Sequence, residues 1–181
     1  CGLSMPCKEA CIALVDELDA SAAAIQSINT IVNTGGHLKA YNTDYIAVAQ
    51  LLESHAVPKD STFALRGSGG MAKAVASALR DGGYKNGLIV ARNERAGRAL
   101  ADSLGYRWQA DLGDERPQML INVTPVGMDG GPEAGQLAFE PEVIKAAETV
   151  FDVVAIPSET PLIVRARAEG NPGSYTHLRP H

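Results

Sequence analysis

Cysteine is confined to the first eleven residues of the chain, at Cys1, Cys7 and Cys11. An odd set bunched at one end, with no histidine or second cysteine pair at zinc-finger spacing, argues against a disulfide framework or a zinc module; reduced thiols are expected, and no metal. Basic residues are too thinly spread to form a polyanion-binding surface. With 16 Lys and Arg against 21 Asp and Glu, the formal charge of -5 argues against nucleic acid or an anionic membrane as partner and favours small molecules. No apolar run approaches the roughly 20 residues of a membrane span, and no basic and apolar leader opens the chain, so a cytoplasmic protein is expected. Internal repeats and low-complexity tracts are missing as well. What is present is 45% hydrophobic residues among 181, enough for a real core.

The pattern changes character along the chain. After Pro6, CKEACIALVDEL places Ile12, Leu14, Val15 and Leu18 near one face, which predicts a helix opening after the proline. Ser21 is expected to cap a second short helix reaching about Ile28. NTIVNTGGHLKAYN reads as a hairpin turning at Thr34-Gly35-Gly36. A helix follows from Thr43, capped by Thr43 or Asn42. AVPKDS looks like a linker, and a domain boundary is expected near residue 58.

Beyond it, strands and helices alternate: strand 63–65, helix 70–80, strand 87–91, helix 94–104, a weak strand 107–110, strands 119–123 and 150–154, and helix 161–169. Continuously apolar strands separated by amphipathic helices imply a parallel sheet covered on both faces. The fold class is α/β: a doubly wound, Rossmann-like domain over 59–170, preceded over 1–58 by part of a second α/β domain. The last segment, NPGSYTHLRPH, has neither helical nor strand period. With Cys1 in place of an initial methionine, the sequence reads as a fragment whose residues 171–181 are a disordered tail or a cloning scar.

Gly67-Ser68-Gly69-Gly70-Met71-Ala72 fits G-x-G-x-x-A directly after a strand and at the opening of a helix. The first glycine permits the tight turn, the second lets backbone approach a pyrophosphate, and the third small residue packs helix on strand. Exposed amides at the helix start then face phosphates. The plain alternative is a strand-to-helix turn without a ligand. The next strand, GLIVA, runs into Arg92-Asn93-Glu94-Arg95, so basic residues arrive where NAD-selective chains place a carboxylate for the ribose hydroxyl. Guanidinium at that place pairs with a 2′-phosphate, which favours NADP (NADPH) over NAD; Glu94 dissents, and the arginines could instead solvate a helix start.

Six segments in order resemble the shikimate dehydrogenase family, its shikimate/quinate dehydrogenase-like branch. SMPCKEA is similar to N-V-T-x-P-x-K, INTIVN to V-N-T-x-x-N, YNTDY to Y-N-T-D-G, GSGGMAKA to G-A-G-G-A-x-x-A, LINVTPVGM to N-A-T-x-x-G-M, and FDVVAIPSETPL to D-x-x-Y-x-P-x-x-T-P-L. The resemblance covers most of residues 1–170. It implies a substrate domain followed by an NADP domain, with a site between them that interconverts shikimate and 3-dehydroshikimate, or another hydroxy/keto cyclohexene carboxylate. It also implies a monomer or homodimer.

Carried over position by position, it implies Lys8 and Asp44 as the catalytic pair, with Ser4 and Asn29 on the substrate. Gly67, Ser68, Gly69, Gly70, Met71, Ala72, Arg92, Asn93, Arg95, Thr124 and Val153 then attend the cofactor. The physical chemistry agrees, because an ammonium beside the reacting oxygen can stabilise an alkoxide and hand over its proton. Each residue also has a plainer role: Lys8 as a solvated lysine, Asp44 as a helix-start charge, Asn29 as a turn residue, Thr124 as a support. Asn42 is read as structural.

Three positions depart from the pattern: Ala155 for the family tyrosine, Tyr45 for the glycine after N-T-D, and Gly2 for the first asparagine. The family's amino-terminal serine motif and its carboxyl-terminal glutamine-bearing helices are not in the chain. As given, it is expected to bind NADP weakly and turn over little. A quinate or other cyclitol-acid dehydrogenase, or a non-catalytic nucleotide-binding module, are the competing readings.

Overall fold

The computed structural model describes residues 11–171 and the backbone of 173–176. Its larger part is a six-stranded sheet built from β4 (Phe63–Arg66), β5 (Gly87–Val90), β6 (Arg107–Gln109), β7 (Met119–Asn122), β8 (Thr149–Asp152) and β9 (Gly173–Thr176). The strand order is β6-β5-β4-β7-β8-β9 and every pairing is parallel. β4, β5, β7 and β8 are buried almost throughout, as sheets covered on both faces require.

Helices α2 (Thr43–Ser54), α3 (Gly70–Asp81) and α4 (Glu94–Leu104) cover one face, around Phe63, Leu65, Val75, Leu79, Ile89 and Ile121. Helices α5 (Pro141–Ala146) and α6 (Pro161–Ala168) cover the other, around Ala64, Leu120, Ile144, Val150 and Ile163. The chain therefore reverses its winding between β4 and β7, and the connections after those strands leave for opposite faces. That divergence opens a crevice at the carboxyl edge of the sheet.

The smaller sheet has the order β1-β3-β2, with β1 (Glu17–Leu18), β2 (Thr30–Thr34) and β3 (His37–Tyr41). β2 and β3 form the expected hairpin. Gly35 and Gly36 both take positive φ, 61° and 97°, as a turn matched to the strand twist demands. Asn33 adds a hydrogen bond to the turn, its Oδ1 accepting from Gly36 N at 2.9 Å.

Two expectations are corrected here. Within the described residues, the helix read after Pro6 is a 3-10 turn, Cys11–Leu14, followed by β1. The acidic residues of this run bind the neighbouring strand: Asp16 Oδ2 accepts from Leu38 N at 2.7 Å, and Glu17 meets Lys39 at 2.7 Å and His37 at 3.2 Å. Ile12, Val15 and Leu18 still pack on the small core of Ala22, Ile28 and Ala40, while Leu14 is 71% exposed. The second helix, α1, is only Ala20–Ala23, and Asp19 caps it in place of Ser21; the Asp19 carboxylate accepts from both the Ser21 amide and its hydroxyl. The turn ends at Gln26, whose φ of 49° is left-handed and stops the helix well before Ile28.

Elsewhere the strands and helices from Phe63 to Ala168 lie where the alternation predicts, to within about two residues. α5 was not foreseen. Nor was β9, since residues 173–176 pair in parallel with β8 where no element was expected. Among the described residues no helix is long and apolar enough to cross a membrane.

Candidate functional site

The turn after β4 has the geometry that the glycine pattern implies. Gly67 sits at φ 132°, and a Cβ placed on it would come within 2.7 Å of Val123 Cγ2, so a side chain here would meet the loop that follows β7. Gly69 has extended backbone and caps α3 without a side-chain bond. A Cβ on Gly69 or Gly70 would meet nothing within 4 Å. The start of α3 is therefore uncovered on the side of these two glycines, which leaves room for an anion to approach the helix-start amides. Ala72, fully buried, is the small third residue that brings helix and strand together. Met71 packs partly buried on the same apolar layer.

Above this turn lies a crevice of about 510 Å³. Gly67, Ser68, Gly69, Arg92, Asn93 and Thr124 line it, all expected from sequence. Arg92 is exposed, with Glu133 at 4.0 Å its nearest acidic partner. Asn93 caps α4 through Ala96 N at 3.1 Å. Glu94 turns away to pair with Arg98 at 2.8 Å, one turn along the helix. Arg95 lines a neighbouring groove with Lys73 and Arg80 instead of this crevice, though Ser68 and Asn93 border both. Val153 packs on the apolar layer of the sheet and is not part of the crevice wall.

Arg66, Val90, Asp111 and Val126 are also part of the wall and were missed from sequence. Arg66 carries the one available signal: a charged residue at the end of an otherwise apolar buried strand. Its guanidinium donates to the Ala138 carbonyl and lies 6.0 Å from the Phe139 ring centre.

The second cluster surrounds the start of α2. Asn29 Oδ1 accepts from Thr43 N at 2.9 Å, Thr43 Oγ1 at 3.1 Å and Thr30 Oγ1 at 3.1 Å. Its carbonyl is thus committed to the helix start, and no donor bond from its amide nitrogen is made among the described residues. Asp44 stands half-buried in the first turn of the same helix, next to the exposed Thr43. Asn42 is buried and structural in form: its Oδ1 caps α2 through Tyr45 N at 3.0 Å, and its Nδ2 reaches Ser27 O at 3.1 Å. Tyr45 points to α3, where its hydroxyl donates to Asp81 at 2.7 Å; burial first, then this bond, push its pKa up to about 12. Ser4 and Lys8 lie outside the described residues.

Beyond β7, the glycine-rich segment is held by backbone bonds, Gly127 N to Glu133 O and Asp129 N to Ile156 O, both at 2.9 Å.

The chain is 47% identical over 170 residues to a shikimate dehydrogenase-like protein of Haemophilus influenzae, covering 94% of this chain and 63% of that one. A solved shikimate 5-dehydrogenase-like protein matches it with a TM-score of 0.93 at 46% identity, over 97% of this chain and 64% of that one. The shikimate 5-dehydrogenase of Thermus thermophilus, solved with NADP(H) and shikimate, matches with a TM-score of 0.80 at 28% identity, over 97% and 65%. No protein-family model matches. The chain spans 62–63% of the length of the first curated relatives it matches. With six motifs in order, a doubly wound sheet whose glycine turn borders the switch-point crevice, and relatives that agree in both sequence and fold, this chain belongs to the shikimate dehydrogenase family.

Proposed function

We propose that the protein is an NADP-dependent oxidoreductase that interconverts shikimate and 3-dehydroshikimate, or a close analogue. Residues before about 58 would supply the substrate half and those after it the cofactor half. The observation that carries this reading is the crevice itself: Gly67 excluded from bearing a side chain, open space over Gly69 and Gly70, and basic Arg92 on the wall. Those residues fit a dinucleotide: the start of α3 would hold its diphosphate, and the Arg92 guanidinium would pair with a 2′-phosphate. Bound there, the nicotinamide cofactor supplies hydride transfer to or from the carbon that bears the oxygen.

The chain's own part is binding and proton handling. Lys8, by its place in the family pattern, holds or releases the proton of the reacting oxygen. Asp44 orients that lysine and the substrate hydroxyl, and Asn29, its carbonyl already engaged, offers its amide hydrogens to a second hydroxyl.

Ala155 favours a second reading. It lacks the tyrosine hydroxyl of the family pattern, so quinate or another cyclitol acid is the alternative substrate. Tyr45 bears less on the choice, because its hydroxyl is held by Asp81.

The deciding experiment follows reduced nicotinamide formation by the protein at its natural length, offered shikimate and then quinate with NADP, with NAD as the control cofactor. Turnover with NADP that disappears in Lys8→Ala is the expected result, and the two rates rank the substrates. Cofactor binding without turnover on either acid would leave a nucleotide-binding module and overturn the dehydrogenase reading.

A further inference from the structure

A buried carboxylate beneath the crevice has no part in the reaction above. Asp152, at the end of β8, is 2% exposed. Its Oδ1 accepts from Asn122 Nδ2 and from Val154 N, each at 3.1 Å, and its Oδ2 accepts from Thr160 Oγ1 at 2.7 Å. The three donors come from three separate stretches of chain. Two of them pass the constraint on.

Asn122 is fully buried. Its Oδ1 accepts from Thr124 N at 3.1 Å and Thr124 Oγ1 at 2.6 Å, and its Nδ2 also reaches Val126 O at 3.2 Å. Thr124 Oγ1 in turn accepts from Val126 N at 3.3 Å. Between them lies Val123, the side chain that stands against Gly67. On the other side, Thr160 Oγ1 accepts from Ile163 N at 3.3 Å and so caps α6.

We propose that Asp152 is a positioning residue for the dinucleotide crevice: through Asn122 its carboxylate sets the Val123–Val126 loop against the glycine turn, and through Thr160 it ties that loop to the β8–α6 connection. This rests on the dinucleotide reading above. Its warrant is the cost of the group. A carboxylate removed from water is expensive, and convergent donors are what make it tolerable. An asparagine in its place would offer one acceptor oxygen in place of two, and its amide hydrogens would meet the Thr160 hydroxyl, which would have to turn from donor to acceptor.

Burial pushes Asp152 up to about 6, while the bonds from Thr160, Val154 and Asn122 pull it back. The groups packed against it from β7, from its own following turn and from the start of α6 are Asn122, the Val154 amide and Thr160, none of them charged; among the described residues no charged side chain adds to the shift. Protonation below about pH 6 therefore weakens the same convergence that the asparagine variant would.

The test is NADPH affinity, by fluorescence titration, in the native protein, Asp152→Asn and Thr160→Val. Asp152→Asn should bind about 10-fold more weakly at about pH 8, and Thr160→Val about 3-fold more weakly. The ratio of native to Asp152→Asn affinity should shrink toward one by about pH 5, a comparison in which titration of the ligand's own phosphate cancels. In ligand-free Asp152→Asn, the amides of Thr124 and Val126 should exchange with solvent about 10-fold faster than in the native protein.

Unchanged affinity with unchanged exchange at Thr124 and Val126 overturns the proposal. So does an affinity loss equal at both pH values, which would mark a general loosening of the fold. Should Asp152→Asn not fold, the Thr160→Val result decides. If the native protein takes up no dinucleotide, the functional reading falls, and the exchange rates alone judge whether Asp152 positions the loop.

Discussion

Gly67→Ala is expected to bind NADPH at least about 10-fold more weakly than the native protein and to lose about 2–4 kcal/mol of stability. Two costs combine. At φ 132° an L side chain is strained whatever the space around it, and the new methyl would lie 2.7 Å from Val123 Cγ2. Val123 cannot yield cheaply: it is β-branched, and its loop is fixed by the bonds of Asn122 to Thr124 and Val126. Relief must come from the turn itself, which moves the amides that would meet the phosphates. Gly70→Ala is the contrast, since nothing lies within 4 Å of its Cβ position. It should keep native stability, so any affinity it loses reports a ligand that closely approaches the helix start. A urea midpoint and an NADPH titration on both variants measure this; a Gly67→Ala protein with native midpoint and affinity would remove the turn from the site.

Asp44→Asn should lower turnover by about 10²–10⁴-fold in the protein at its natural length, with much smaller changes in KM and cofactor affinity. The side chain is half-buried in the first turn of α2, and its plain alternative is a favourable charge at a helix start. That role predicts a different result: about 0.3–1 kcal/mol of stability lost with turnover intact. Both readings lose the helix-start charge in the asparagine variant, so stability cannot separate them and turnover can. Native-like turnover in Asp44→Asn would show that the position serves the helix alone.

Much of the larger sheet is legible in the sequence because its strands are buried on both faces. FALR, GLIV and MLIN are apolar without alternation, and each is followed at close range by glycine or a helix cap, so period and punctuation agree. The smaller sheet is harder. The run through Asp16 and Glu17 has the sequence look of a helix, and only the arrival of Leu38 and Lys39 from the far side of the hairpin turns Glu17 into a strand residue and gives the Asp16 carboxylate its partner. α5 is six residues long, with no side-chain cap at Glu140, too short for periodicity to register.

The site divides the same way. The glycine turn is contiguous and can be read directly. Arg66, Val90 and Asn122 are neighbours only through strand register, Arg66 pairing with Val90 on one side and Asn122 on the other. Nothing local announces such a row. The partition of the two arginines is likewise tertiary: Arg92 and Arg95 are three residues apart, yet the opening of α4 sends them to different grooves.

The parallel sheet has a consequence for how the protein comes to be folded. The β2–β3 hairpin closes across two glycines, an event on the order of microseconds. The centre of the large sheet has no such shortcut: Phe63 must find Gly87, 24 residues on, and Met119, 56 residues on. Long closures are slow because their entropy is lost before any pairing repays it. Pulse-labelled amide exchange during refolding should therefore protect Val32 and Lys39 before Leu65 and Ile121. In that interval the apolar strands that later form the core are open to one another in different molecules, and refolding yield should fall as protein concentration rises.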